Sequence, residues 1–514
     1  MRTLTCLLTT LLLLIQCKPK EQEVTSNENS LGEVVLQVTG SEEAMPFFTQ
    51  GLLLLHSFEF EDAAEQFVKA QDLDSTFVMA YWGEAMTYNH PLWRERYTEE
   101  GSAALNKLGA SSEVRLSMAK TDIEKDFLDA VEVLYSEGDK IELDIAYKEK
   151  MQSMYKKYPG NHEVAAFYAL SLLGASKSRT EDDFYDRGAK IVQGIIDENP
   201  KHPGALHYLI HSYDDPDHAT LALDAAHSYA QVAPDAEHAL HMPSHIFVAL
   251  GMWDEVIRSN IASYEASVVR MKEKEMDNDA RGYHAFKWLM YGYLQKGEKD
   301  IARNMLYEMK QYATETPSSR ARAHYIMMQG DYLTETGDWG DSIALHTVDL
   351  EKLNLQVQGV QYFTQGNLAY YQEDEEKLRS NIEELNRLQA KAETIMVSGN
   401  PKMCSGVSRY LQPPSKNEVN SVEVMILELE AFTAMLKGED AKVEEHLKKA
   451  VELEETIKYS FGPPNIVKPS FEMYGEWLLK KGRLEEAMTQ FEKSLERMPN
   501  RRLSVKGKEQ CEVV

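Results

Sequence analysis

The chain has 514 residues, 27% of them charged, and a formal net charge of −28. That length exceeds what one compact core holds, so several domains or a repeat array are expected. So acidic a surface repels phosphate backbones and anionic headgroups, which argues against nucleic-acid binding, and 17 prolines with 28 glycines exclude a collagenous or low-complexity chain.

Arg2 is followed by an apolar run, Leu7 to Ile15, interrupted only by Thr9 and Thr10. The run is too short for a membrane-spanning helix, which needs ~20 residues, and it fits the apolar part of an export signal. The sequence Leu13-Leu14-Ile15-Gln16-Cys17 resembles the lipobox of bacterial lipoproteins, with Gln16 standing where that box carries a small residue. The resemblance implies a signal peptide over 1–16, acylation of Cys17, and a lipid-anchored protein of the bacterial envelope, with the outer membrane as the expected address. Residues 17–43 begin polar and carry no helical stripe, so a flexible tether is expected there. Cys404 and Cys511 are the two remaining cysteines, and two distant cysteines make no disulfide framework.

From residue 44 onward, apolar residues recur at intervals of three and four, as in Leu54 and Phe58 and again in Ala63, Phe67 and Ala70. Strand-like alternation is scarce. Residues 468–500 resemble a tetratricopeptide repeat through Gly475, Leu478, Gly482, Ala487, Phe491 and Pro499, and residues 44–77 repeat the pattern with Gly51, Ala63, Phe67 and Ala70. Weaker units begin near Pro203, Glu237, Tyr283, Ala323, Gly359 and Val424, with Gly251, Gly297, Gly337 and Gly438 closing first helices. The resemblance implies an all-α fold, a right-handed α-solenoid of tetratricopeptide-type helix pairs. It divides the chain into N-terminal repeats with insertions over 44–200, central histidine-rich repeats over 201–357, C-terminal repeats over 358–501 and a tail over 502–514.

Eight of the fifteen histidines lie between residues 202 and 245. His207 and His211 are spaced i, i+4, and so are His241 and His245 one repeat length later, so each pair occupies one helix face. On a helical wheel, both pairs fall ~100–140° from the apolar stripe of their helix. In the tetratricopeptide family that flank lines the concave groove. The resemblance therefore implies a groove patch of His207, His211, Asp215, His238, His241, His245 and His284, with His324 at a similar first-helix start. Three uses of the patch stand open. Neutral imidazoles at His207, His211, His241 and His245 suit a transition metal such as zinc. The same rings can hydrogen-bond a peptide or sugar, or they can simply pack between helices. Pro243 either kinks its helix or starts a new one. Glu472 and Glu476, also i, i+4, read as a solvated acidic face.

The stretches at 80–93, 207–216, 238–247 and 461–472 resemble a bacterial subfamily of tetratricopeptide proteins, a likeness that bears on architecture and site choice only. No nucleophile elbow, phosphate-binding loop or dinucleotide fingerprint is present, and His162-Glu163 lacks the second histidine of a zinc-protease helix. The first expectation is a membrane-anchored scaffold that docks an envelope protein or peptide, accessory to glycan-utilisation machinery and polysaccharide capture. The alternative is a metal-binding protein or metal-dependent hydrolase built on the histidines.

Overall fold

The computed structural model describes residues 30–176, 182–396, 413–458 and 462–512. Cys17, the signal peptide and Cys404 lie outside these residues. The fold is all-α, a stack of antiparallel helix pairs. Among the described residues the only strands are Asn89–His90 and Glu95–Arg96, paired as a short antiparallel hairpin inside the expected N-terminal insertion. No described helix is long and apolar enough to cross a membrane.

The repeat residues do what their chemistry dictates. Phe67, fully buried in the Phe60–Leu73 helix, sits between two glycines. A Cβ on Gly51 would come within 2.9 Å of its ring, and one on Gly83 within 2.3 Å. Phe491 repeats the arrangement at the same sequence spacing, at 2.9 Å from a Cβ on Gly475 and 2.3 Å from one on Gly507. One aromatic ring thus clamps the helix before it and the helix after it, and burying each ring contributes about 1.5–3 kcal/mol. The turn glycines Gly251, Gly297, Gly337, Gly438 and Gly482 have φ between 65° and 81°, the left-handed conformation that ends a helix.

Both ends of the stack fold back onto its centre. From the first pair, Glu59 Oε1 accepts the His238 backbone N–H at 2.8 Å, and Asp62 accepts from Arg270 at 2.7 Å. From the C-terminal end, the Asn500 carbonyl accepts from Trp253 Nε1 at 2.9 Å, and Arg501 Nη1 donates to the Tyr291 hydroxyl at 2.6 Å. The central repeats are therefore covered on two sides.

Three expectations are corrected here. Residues 30–43 are not a free tether: Leu31 is buried, Glu33 N donates to the Lys201 carbonyl at 2.9 Å, and Gly40 packs on Phe77. The tail is a helix, Arg502–Glu512, carrying the Gly507 that meets Phe491. Glu472 is no solvated acid; it is fully buried, accepts from Arg501 at 2.8 and 3.0 Å and from Ser504 at 2.7 Å, and lies 3.0 Å from Lys468 Nζ. Burial pushes its carboxyl up, but Arg501 and Lys468 outweigh that and hold it down to about 2. Glu476 is half-exposed and pairs with the same lysine.

Candidate metal centre

The helix Pro203–Ser212 begins with a proline at its first position, where no donor is needed. His202 caps it, its Nδ1 accepting from Ala205 N at 3.2 Å. This helix carries His207 and His211 on one face. In the next repeat the backbone breaks rather than kinks: one helix spans Glu237–His241, Met242 is its last cap, and a new helix runs Pro243–Ala249. The break leaves His238 and His241 on the first piece and His245 on the second. His284 follows at the start of the Tyr283–Lys296 helix.

These histidines form two sets, not one. Ligand-capable atoms of His207, His211 and His238 lie within 4.8 Å of one another, and so do those of His241, His245 and His284. Each i, i+4 pair thus recruits its third member from the start of the following stretch. His207, His211, His241 and His245 are almost wholly buried, whereas His238 and His284 are partly exposed and mark the way in. The rings of His211 and His245 are 5.9 Å apart between centres, so the two sets adjoin.

Neighbouring acceptors fix which nitrogen carries the proton in His207, His241 and His245. His207 Nδ1 is 2.7 Å from the His56 backbone carbonyl, which can only accept, so the proton is on Nδ1 and Nε2 is a bare lone pair. That Nε2 lies 3.1 Å from Nε2 of His211 and 3.2 Å from Nε2 of His238. Three nitrogens bound tetrahedrally to one ion at ~2.0–2.1 Å would be ~3.3 Å apart. In the second set, Asn260 donates its Nδ2 to the Val256 carbonyl at 2.8 Å, so its Oδ1 faces His241 Nδ1 at 2.7 Å as an acceptor. His241 Nε2 is left without a partner among the described residues, as is His284 Nε2. His245 Nδ1 is 2.5 Å from Asp214 Oδ2, which turns its Nε2 the other way. Burial lowers five of these rings, to about 3 for His207 and His241 and well below the usual value for His211, His238 and His284, so those imidazoles are neutral at physiological pH and fit to bind a cation.

A third cluster, His56, Glu163 and His202, looks similar by proximity and differs in chemistry. His56 Nε2 is 2.7 Å from Glu163 Oε2, and its Nδ1 is 2.9 Å from the Tyr208 hydroxyl. His202 spends its Nδ1 on the helix cap and turns Nε2 to Glu163 Oε1 at 3.2 Å. Burial pushes Glu163 up, but His202 and His56 outweigh it and keep the carboxyl well below its ordinary range. His56 thus commits both ring nitrogens, whereas His202 Nε2 stands near Glu163 Oε1 without a hydrogen bond, and this cluster differs from the other two in holding a carboxylate and one fully committed ring. This cluster positions the His56 carbonyl that orients His207.

Aromatic rings wall the hollow. The Phe58 ring stands edge-on to His207 at 4.3 Å between centres and is stacked near His238 at 5.7 Å, with Trp93 on the other ring contact of His238 at 5.8 Å. Trp288 packs on His241 and His245 at 4.8 and 4.6 Å, and Gly462 lies so close to Trp288 that a Cβ would overlap the indole. Phe58 has φ 58°, a strained left-handed conformation for an aromatic residue, and it is held directly on the first set. Glu59 and Glu237 stand beside His238; burial raises them to about 7 and about 8.

Of the residues expected in the patch, six histidines converge. They lie largely beneath other elements rather than along an open groove, because the first helix pair reaches His238 and Gly462 packs on Trp288. Asp215 does not join them; its Oδ1 lies 2.7 Å from His218 Nδ1, and its neighbour Asp214 takes the place expected for it. His324 belongs to neither set, its Nδ1 donating to the Arg320 carbonyl at 2.8 Å. The expected four-histidine site becomes two sites of three. Sequence reasoning missed His56, Glu163, Asn260 and Asp214 as supports, and of these only Asp214 adjoins a residue expected in the patch, Asp215.

No protein-family model and no curated protein matches the chain. Solved structures that align along most of it include a monomeric IFIT1 mutant with Gppp-AAAA, at 13% identity over 94% of this chain and 98% of that one, with a TM-score of 0.40. The Cut9–Hcn1 hetero-tetramer of APC/C aligns at 10% identity over 91% and 76%, with a TM-score of 0.37. Yeast Tom70 aligns at 12% identity over 92% and 96%, with a TM-score of 0.33. These superpositions are loose, and no ligand or partner is carried over from them.

Proposed function

We propose that this chain is a metal-binding protein in which a helical-repeat scaffold holds two transition-metal ions, one on His207, His211 and His238 and one on His241, His245 and His284. The observation that carries this reading is the tautomer geometry. His207 and His241 have each committed Nδ1 to an acceptor and turn a bare Nε2 into a buried cluster of imidazoles. His207 Nε2 can only accept, and what it meets at 3.1 and 3.2 Å are two further ring nitrogens, an arrangement that packing alone does not require. Zinc and copper both suit an all-imidazole set. Titrating the chelator-treated full chain with zinc or copper, and reading heat and bound metal, tests the reading. Saturation at about two ions per chain supports it, and less than ~0.2 equivalents retained after gel filtration overturns it, because a built site keeps its ion.

A second reading keeps the repeat array as a docking scaffold for a protein or peptide partner. It is favoured by the partly exposed His238, His284 and Trp93 at the mouth of the hollow. Recovery of a partner from an extract that is lost on His238→Ala plus His284→Ala supports that reading, and unchanged recovery removes it. The lipid anchor at Cys17, the outer-membrane address and a role beside glycan-utilisation machinery rest on the sequence resemblance. Metabolic labelling with a fatty acid, lost in Cys17→Ser, tests the anchor.

A further inference from the structure

We infer that the two sites are unequal. The set of His241, His245 and His284 keeps its ion, whereas the set of His207, His211 and His238 holds an exchangeable one, gated by the turn between the first two helices. The protein thus retains one ion and carries the other for release. The inference rests on the two-site reading above and adds the regulation of those sites.

The first argument is what stands behind each ring. In the second set, His245 Nδ1 meets the Asp214 carboxylate at 2.5 Å, and His241 Nδ1 meets Asn260 Oδ1 at 2.7 Å. Asp214 makes its imidazole the more basic ligand and offsets part of the charge of an ion. In the first set, His207 is backed by the neutral His56 carbonyl, and the outer nitrogen of His211 is buried with no hydrogen-bond partner among the described residues. Glu59 and Glu237 stand beside His238 and leave this contrast intact. Glu59 Oε1 accepts the His238 backbone N–H at 2.8 Å, and Glu237 Oε1 lies against Gly282. Supports behind a ligand change metal affinity by about 10–100-fold, so the second set is the tighter.

The second argument is where the supports come from. Those of the second set all lie in the central repeats. Asp214 follows the Pro203–Ser212 helix, Asn260 belongs to the Trp253–Glu273 helix and Trp288 to the Tyr283–Lys296 helix. The first set leans instead on four consecutive residues of the N-terminal pair. His56 supplies its carbonyl to His207. Ser57 Oγ accepts from the Tyr229 hydroxyl at 3.1 Å, and the Tyr229 ring stacks on His207 at 5.4 Å between centres. The Phe58 ring contacts all three members, with centres 4.3 Å from His207, 6.2 Å from His211 and 5.7 Å from His238. Glu59 holds the backbone at His238. Phe58 takes φ 58°, a strained conformation that these contacts maintain. Movement of this one turn therefore disturbs every ligand of the first set and none of the supports of the second.

The test loads the chelator-treated full chain with one and then two equivalents of zinc. At each step it reads zinc transfer to a coloured chelator and amide hydrogen exchange. Two affinities about 10–100-fold apart are expected. The first equivalent should slow exchange in Pro243–Ala249 and Tyr283–Lys296, and the second in Met45–His56 and Phe60–Leu73. His241→Ala should remove the tight step and His211→Ala the weak one. Phe58→Leu keeps an apolar side chain and touches no ligand atom. With folding checked by circular dichroism, it should speed release of the weakly held ion by about tenfold and leave the other unchanged. Equal affinities, filling of the His207 set first, or unchanged exchange in the first helix pair on the second equivalent overturns the inference and leaves the two-site reading standing. Equal release of both ions from Phe58→Leu does the same. Retention of no zinc overturns both.

Discussion

Nε2 of His207 and Nε2 of His211 face each other at 3.1 Å, with His207 unable to donate because its proton is held on Nδ1 by the His56 carbonyl. Around that contact the structure spends several polar groups on orientation alone. Asn260 and Asp214 do for His241 and His245 what the His56 carbonyl does for His207. Such supports set ligand direction and basicity in metal sites.

Asp214→Asn removes the charge behind His245 and leaves the first set untouched. Metal affinity of the second site should fall by about 10–100-fold, while the first site keeps its affinity. Competition titration against a coloured chelator separates the two steps, and an equal loss at both sites would show that Asp214 acts on the fold and not on one ligand.

The metal-free chain should lose stability on acidification. His207 and His241 are held down to about 3, mainly by burial, whereas in the unfolded chain they titrate near 6.5. Between those values the unfolded chain binds more protons than the folded one, so stability is complete above about pH 7 and falls as pH drops towards 3. At pH 5 each ring costs about 2 kcal/mol. Thermal melts at pH 7.5 and pH 5 should show a clear drop in Tm, and addition of metal should oppose it by binding only the folded form.

Phe58 separates packing from backbone strain. Phe58→Ala loses a buried ring and keeps the left-handed backbone, costing about 3–5 kcal/mol. Phe58→Gly loses the same ring but relieves the backbone, so it should be the more stable of the two by roughly 1 kcal/mol. Denaturant titration of both variants checks the order; Phe58→Ala being the more stable would mean that φ 58° carries no strain.

The aromatic clamp makes a local prediction at each end of the stack. Gly83→Ala and Gly507→Ala each place a methyl 2.3 Å from a buried ring, Phe67 or Phe491, and should destabilise by about 1–3 kcal/mol. Gly438→Ala has open space around its Cβ and a φ of 67°, so its cost is strain alone, about 1 kcal/mol. Equal effects at all three positions would contradict the clamp.

Much of the scaffold is legible in the sequence because repeat packing is local. Gly51, Phe67, Gly475 and Phe491 are read from spacing, and the turn glycines fall where their φ values require. The histidine faces are legible for the same reason, since i, i+4 pairs must share a side. Their grouping is not. His238 and His284 join the sets because the superhelix brings successive helix starts together, and a wheel drawn for one helix carries no such information. Burial of the patch depends on Glu59, Asp62, Asn500 and Arg501 reaching back across some two hundred residues, contacts with no periodic signature. Asp214 replaced Asp215 because the turn after Ser212 rotates by one residue, beyond what helical spacing predicts. Glu472 was misread because its partner Arg501 lies outside its own helix.

Anomalous diffraction from crystals of the metal-loaded chain, recorded at the absorption edge of the bound metal, tests the central claim most directly. Two peaks are predicted, one among His207, His211 and His238 and one among His241, His245 and His284, with none at His56, Glu163 and His202. An empty hollow in metal-loaded crystals, or a peak on the Glu163 cluster in its place, contradicts the account.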